Sequence, residues 1–337
     1  MFKNILISGG CGFLAKGLVK YLLRQKNINK IICVDNFITS NENDFHDFRK
    51  KYDINNKIIL HIFDVTKYNL MEIMLNEINI SHKIKVIHEI YHLASLASPS
   101  FYKQFPMETL DVGYIGTKVM LEIAKRFNSR ILFSSTSEVY GDPNVFPQNE
   151  NYYGNVNSFG ARSCYDESKR IAESLCYTYI QEHNLDVKIA RIFNTYGPEM
   201  LISDGRIVTE TIRHLQNNTI LSIYGDGKQT RCCCNISDTV EMLIELMASD
   251  CNIPVNIGND YELSVNKIVD IIENVYRLKF NKDIILRKQY KPLTQNDPLK
   301  RQPCLKLNKK ILGERKYVTL EEGIEEMITY FEFKLTK

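Results

Sequence analysis

Residues Asn4-Ile5-Leu6-Ile7-Ser8-Gly9-Gly10-Cys11-Gly12-Phe13-Leu14-Ala15 set a short apolar strand directly against a glycine turn and the start of a helix. That order leaves unpaired backbone N–H groups at the helix N-terminus, and glycines in the turn let a pyrophosphate approach them. Gly9 and Gly12 supply the turn and the close approach, and Ala15 the small position where helix meets sheet. A second apolar run, Ile31-Ile32-Cys33-Val34, ends in Asp35. An acid at that strand end accepts hydrogen bonds from an adenosine ribose and repels an extra 2′-phosphate, so the pattern predicts NAD rather than NADP.

The same alternation continues. Apolar runs at 58–63, 85–93, 130–134 and 186–192 predict strands, while 13–24, 68–79, 107–126 and 162–183 have helical periodicity. The polar stretch 36–49 reads as a surface excursion. The expected fold class is α/β, a Rossmann-type parallel sheet flanked by helices, with a smaller mixed C-terminal substrate lobe. Residues 1–199 form mainly the first domain and 200–330 mainly the second, some of whose elements rejoin the first.

A net charge of +3 over 337 residues, with no basic block, argues against nucleic acid as partner. No apolar stretch approaches membrane-span length. Met1-Phe2-Lys3 runs straight into the first strand without a leader-like segment, and the nine cysteines have no paired spacing, so free thiols and a cytoplasmic address are expected.

Tyr165 and Lys169 stand four apart, which puts both side chains on one face of a helix. A phenol titrates near ~10, and an adjacent ammonium favours the phenolate, so the pair suits a general base. At the end of the fifth strand, Ser134-Ser135-Thr136-Ser137-Glu138 brings hydroxyls and an acid to the edge where an α/β crevice lies. Thr136 can share a substrate hydroxyl with Tyr165.

Together with Val34-Asp35-Asn36-Phe37, Tyr91-His92-Leu93-Ala94-Ser95, Arg162-Ser163-Cys164-Tyr165, Arg191-Ile192-Phe193-Asn194-Thr195-Tyr196-Gly197-Pro198 and Gly225-Asp226-Gly227, these stretches make the chain resemble the extended short-chain dehydrogenases/reductases. Within them it closely resembles the UDP-glucuronate decarboxylases. The resemblance implies an NAD cofactor held by Gly9, Gly12, Phe13, Leu14, Asp35, Asn36, Phe37, Thr39, Asp64, Val65, Leu93, Ser95, Thr109, Tyr165 and Lys169. It implies catalysis by Thr136, Ser137, Glu138, Tyr165, Lys169, Asn194 and Arg231, with Arg206, Tyr224, Arg231 and Arg301 on the UDP-sugar.

Tyr165 would take the O4 proton while C4 is oxidised, CO2 would leave beside the new ketone, and the stored hydride would return to C4. Glu138 would promote departure of the neighbouring carboxylate by like-charge repulsion or mediate a proton, and Arg231 would orient it. Arg206 and Arg301 would hold the diphosphate. A homodimer through helices near 107–126 and 162–183 is also implied. A 4,6-dehydratase, a 4-epimerase and a non-catalytic NAD-binding regulator are the alternatives; Ser137, where a dehydratase needs an acid, favours decarboxylation.

Some positions depart from the family pattern. Glu108 and Glu199 replace basic residues, Gly113 replaces Asn, Ser40 replaces Gly, and Asn235 replaces an aromatic. The two acids bear on substrate preference. His88-Glu89-Ile90-Tyr91-His92 spells a zinc-protease string, but on a strand its histidines lie about 13 Å apart, so no metal is expected.

Overall fold

The computed structural model describes residues 2–281, 285–292 and 299–335. Its centre is a seven-stranded parallel sheet. In chain order the first six strands are β1 (Lys3–Ser8), β2 (Ile28–Asp35), β3 (Ile58–Ile62), β4 (Glu89–His92), β5 (Arg130–Thr136) and β6 (Val187–Ile192). Across the sheet they run β6-β5-β4-β1-β2-β3, with the strand Pro254–Ile257 added outside β6. Strand order reverses between β1 and β4, which opens a crevice at their carboxyl ends. Ile5, Leu6, Ile7, Ile31, Ile32 and Val34 are fully buried because helices cover both faces, as their unbroken apolar runs require.

One face packs Ile90, Ile131, Met120 and Ala172 against the helices Thr117–Phe127 and Ser163–His183. The other packs Ile7 and Leu132 against Leu18 of the first helix, Phe13–Leu23, and Val240 and Leu243 of the helix Ile236–Ala248. That last helix and the strand Pro254–Ile257 lie beyond residue 200 yet build the first core. Asn235 caps the helix, its Oδ1 accepting from the Ser237 N–H, so the departure from an aromatic supplies a helix start. The second lobe has its own core, in which Ile212, Leu215, Ile268, Ile272, Ile324 and Phe331 join three helices. Among the described residues no helix is long and apolar enough to cross a membrane.

Three elements differ from expectation. The polar stretch after β2 contains a helix, Glu42–Tyr52, which Asn41 caps at the Asp44 N–H and which buries only Phe45 and Phe48. β4 is shorter than 85–93: His88 N–H bonds Asn4 O, but the ladder starts only at Glu89. The segment 107–126 is Pro106–Asp111, a wide π-turn Val112–Gly116, and Thr117–Phe127.

Gly113 sits in that π-turn, where a Cβ would come 2.5 Å from Ser168 Cβ and 2.8 Å from its carbonyl oxygen. The departure from Asn therefore lets the turn close on the helix that carries Tyr165. Gly113→Ala is expected to destabilise the fold by about 1–3 kcal/mol through overpacking, read as a lower denaturation midpoint; an unchanged midpoint would show the contact gives way freely.

Candidate active site

A single cavity of about 860 Å³ runs from the glycine turn to the second lobe, a volume in the range of small-molecule sites. At one end Gly9 has φ +66°, and a Cβ there would lie 2.7 Å from the Ala94 backbone, so only glycine closes this turn on β4. Gly12 caps the first helix without a side chain, leaving the first-turn N–H groups beside Phe13 and Leu14 for a bound anion. Gly9, Gly12, Phe13, Leu14, Thr39, Leu93 and Ser95 all line the cavity, a wall that fits a dinucleotide.

Tyr165 and Lys169 line it too, whereas Asp35, Asn36, Phe37, Asp64, Val65 and Thr109 are not among its lining residues. Asp35 is a brace: its carboxylate accepts from Cys11 N–H, Phe37 N–H and Ser40 Oγ, each at 2.9 Å, tying the glycine turn to the loop after β2. Ser40 thus adds a hydrogen bond that glycine could not make. Asn36 Oδ1 accepts from Ile38 N–H, and Phe37 turns into the left-handed region and packs against the core. Asp64 Oδ1 accepts from Thr66 N–H, and Val65 is buried in the first core. Thr109 is wholly buried and donates to Phe105 O at 2.7 Å.

The wall that holds the residues expected to be catalytic forms where β5 ends. Thr136 Oγ1 accepts from Glu138 N–H and caps a single 3-10 turn, Ser137–Tyr140, that holds Ser137 and Glu138 at the cavity. Tyr165 comes from the first turn of Ser163–His183 and is stacked on Tyr102 with ring centroids 5.3 Å apart. Burial pushes the phenol up, and the nearby Thr136 hydroxyl, which favours the phenolate, only partly opposes it. Lys169 donates from Nζ to Ser134 O at 2.8 Å, and burial pushes it down to about 7. The same burial that raises the Tyr165 phenol thus lowers Lys169, weakening the ammonium beside it.

Glu138 is the electrostatic centre of the site. Arg301 grips it with Nη1 2.9 Å from Oε1 and Nη2 3.0 Å from Oε2, and Arg162 Nη2 lies 2.5 Å from Oε2. Burial alone would raise this carboxyl, but Arg301, Arg162 and Arg231 outweigh it and hold Glu138 below the usual carboxylate range. Guanidinium groups on both of its oxygens weaken the field of this carboxylate toward a substrate carboxylate, and Arg301, expected at the diphosphate, lines the cavity with its guanidinium on Glu138. Arg162 was missed as a partner although it stands three residues before Tyr165, because only the fold brings a helix start to a strand end.

Asn194, Arg206, Tyr224 and Arg231 also line the cavity. Arg206 pairs with Asp204 at 2.9 Å and Tyr224 is half exposed, both on the second lobe. Glu199 lines it too, but its charge is met by Lys20 at 2.8 Å and Lys16 at 3.6 Å, and it accepts from Tyr330 Oη. The acid in place of a basic residue therefore ties the first helix to the second lobe rather than facing a substrate as a bare anion. Glu108 sits exposed in the first turn of Pro106–Asp111. His92 bonds Ser8 and Thr117 and burial pushes its imidazole down to about 3, while His88 Nδ1 accepts from Asn4 N–H. Among the described residues no three His, Cys, Asp or Glu side chains converge as a metal site.

The family profile described as GDP-mannose 4,6 dehydratase matches residues 6–327. UDP-glucuronic acid decarboxylase 5 of Arabidopsis thaliana is 41% identical over 332 residues, covering 98% of this chain and 90% of the relative. UDP-glucuronic acid decarboxylase 1 of Danio rerio is 38% identical over 333 residues, covering 99% and 73%. Among solved structures, UDP-glucose 4-epimerase of Thermotoga maritima with UDP-glucose superposes with a TM-score of 0.83 at 24% identity, covering 98% of this chain and 99% of that one. UDP-glucuronic acid 4-epimerase of Bacillus cereus, in complex with UDP-glucuronic acid and NAD, gives 0.83 at 22% identity with the same coverage.

Proposed function

This chain belongs to the UDP-glucuronic acid decarboxylase family of the extended short-chain dehydrogenases/reductases, and we infer from that premise an enzyme that uses NAD to convert UDP-glucuronate into UDP-xylose and CO2. The observation that carries the reading is the meeting, in one cavity, of Thr136, Tyr165 and Lys169 with Glu138, Arg162, Arg231 and Arg301. The first three suit the oxidation of a sugar carbinol. Arg231, on the same wall, suits a sugar that carries a carboxylate.

Gly9, Gly12 and the uncapped helix start would hold the NAD pyrophosphate, and Lys169 the nicotinamide ribose. When bound, NAD supplies a two-electron acceptor that is restored within the turnover, and a positive ring that favours the phenolate. Tyr165 takes the O4 proton, with Thr136 fixing the hydroxyl it comes from. Arg231 orients the carboxylate without holding it too strongly, since stabilising the charge that must depart would oppose its loss. Ser137 is neutral, which suits a leaving group that needs no proton. Arg206 and Tyr224 serve the UDP end.

Purified protein given UDP-glucuronate is expected to release one CO2 for each UDP-pentose formed, with no added divalent metal, as read by mass spectrometry. UDP-galacturonate without CO2 would make it an epimerase and overturn the reading. Exposed Met107, Leu110, Tyr114, Ile115, Ile171 and Tyr177 on the helices around Thr117–Phe127 and Ser163–His183 support a homodimer through these elements. Nine free cysteines, five of them buried, support a reducing cytoplasmic setting.

A further inference from the structure

A decarboxylation that ends in a C–H bond consumes a proton, and the residues assigned so far do not supply it. The bond between C5 and the carboxyl carbon breaks, its electron pair enters the C5–C4–O4 system as an enolate, and CO2 departs. C5 must then gain one proton before the ketone re-forms. Tyr165 takes its proton from O4 and returns it to O4, so it has none for C5. Net, a carboxylate and a proton from solvent become C–H and CO2.

Behind Glu138 lies a second, small cavity of about 40 Å³, room for two or three waters. Glu138 and Arg162 line both cavities, whereas Asp166 lines only the small one. The outer rim of the small cavity is formed by Asp142, Asn155 and Asn157, all exposed, so it leads from solvent to the back of the catalytic carboxylate. Asp166 sits at the buried end with its side chain nine-tenths covered. Its Oδ1 has no hydrogen-bond partner, and Arg162 Nε stands 3.8 Å from Oδ2. A buried oxygen without a partner in a polar cavity is a place for water or a proton.

We propose that Asp166 stores the proton destined for C5 and passes it, through water in the small cavity and past Glu138, into the active site. The inference rests on the decarboxylase reading. The groups facing Asp166 are Glu138, Arg162, Arg301 and Glu167; burial and then the Glu138 charge push its carboxyl up to about 7, against the two arginines, so it exchanges protons near neutrality. Glu138, held anionic by its arginines, is the fixed acceptor along which the water is ordered.

The test compares the wild type with Asp166→Asn, Asp166→Glu and Asn157→Leu, each as full-length holoenzyme given UDP-glucuronate, with CO2 and UDP-pentose followed separately after rapid quenching. In Asp166→Asn, first-turnover CO2 release is expected to persist while UDP-pentose lags and kcat falls roughly a hundredfold, the low side of a lost proton-transfer group, with KM little changed. The wild-type rate should fall as pH rises through neutrality and Asp166 gives up its proton, a limb that the variant lacks and Asp166→Glu restores. CO2 and UDP-pentose falling together with the pH limb intact would overturn the relay. Should Asp166→Asn fail to fold, Asn157→Leu decides by narrowing the rim, at the loss of one exposed bond from Phe159 N–H: a lag in UDP-pentose with a larger solvent isotope effect upholds the proposal, and wild-type behaviour refutes it. Wild-type protein that releases no CO2 removes the decarboxylase reading and the relay together, whereas a wild type that does, beside an unaffected Asp166→Asn, removes the relay alone.

Discussion

Tyr165→Phe is expected to lower the rate of C4 oxidation by roughly 10²–10⁴-fold, the loss typical of a positioned general base. The change removes one oxygen and keeps the ring, so the stack on Tyr102 and the packing beneath it remain and the fold should be unperturbed. UDP-glucuronate affinity, measured by calorimetry on the NAD-loaded protein, should hardly move, which places the loss on the chemical step. The direction with pH follows from the environment. Burial holds the phenol above its ordinary value, so the oxidation rate of the wild type rises with pH as the phenol deprotonates, and the variant has no such rise. Single-turnover absorbance of the reduced cofactor reads both effects; a variant within a few-fold of wild type would remove Tyr165 from the role of base.

What the sequence disclosed, and what it hid, divides by distance along the chain. The glycine turn and the buried strands were legible because their signals are local: an apolar run, then residues that permit a left-handed φ at Gly9 and an uncapped helix at Gly12. Tyr165 and Lys169 were legible because a helix fixes the geometry of residues four apart. The helix Glu42–Tyr52 left a readable trace in Asn41, the acids Glu42 and Asp44 of its first turn and the bases Arg49, Lys50 and Lys51 of its last, but too few apolar residues for periodicity to register. The partners of Glu138 were not legible in the same way. Arg301 lies 163 positions away and reaches it only because Gln148 pairs with the segment after Arg301, its N–H donating to Gln302 O and its carbonyl accepting from Cys304 N–H. Motif position suggested two basic forks for two phosphates; that one of them also pairs with Glu138 had no local signal. Asp35 shows the same limit, since its place at a strand end was readable but its three intramolecular donors were not.

Arg301→Leu is expected to destabilise the protein by about 3 kcal/mol, the low end for breaking a buried pair, because Arg162 still holds one Glu138 oxygen. The guanidinium makes two parallel bonds to Glu138 and is itself buried, so its loss takes the Arg301 contact away from Oε1 in a site where burial already disfavours the charge. The pH dependence has a definite sign. In the wild type the folded Glu138 titrates below the ordinary carboxylate range, so its contribution to stability is present above the unfolded value and is lost as pH falls through the folded one. Without Arg301 the folded value moves up, and the variant's deficit is largest at neutral pH and shrinks in acid, where a protonated Glu138 no longer needs a counter-charge. Denaturation curves at several pH values read this directly. Glu138→Gln combined with Arg301→Leu should cost less than the sum of the single changes, because the uncompensated carboxylate is gone. Affinity for UDP discriminates the two roles of the arginine: a pairing residue leaves it almost unchanged, whereas weaker UDP binding with unaltered stability would return Arg301 to the diphosphate and strip Glu138 of the clamp that keeps it ionised.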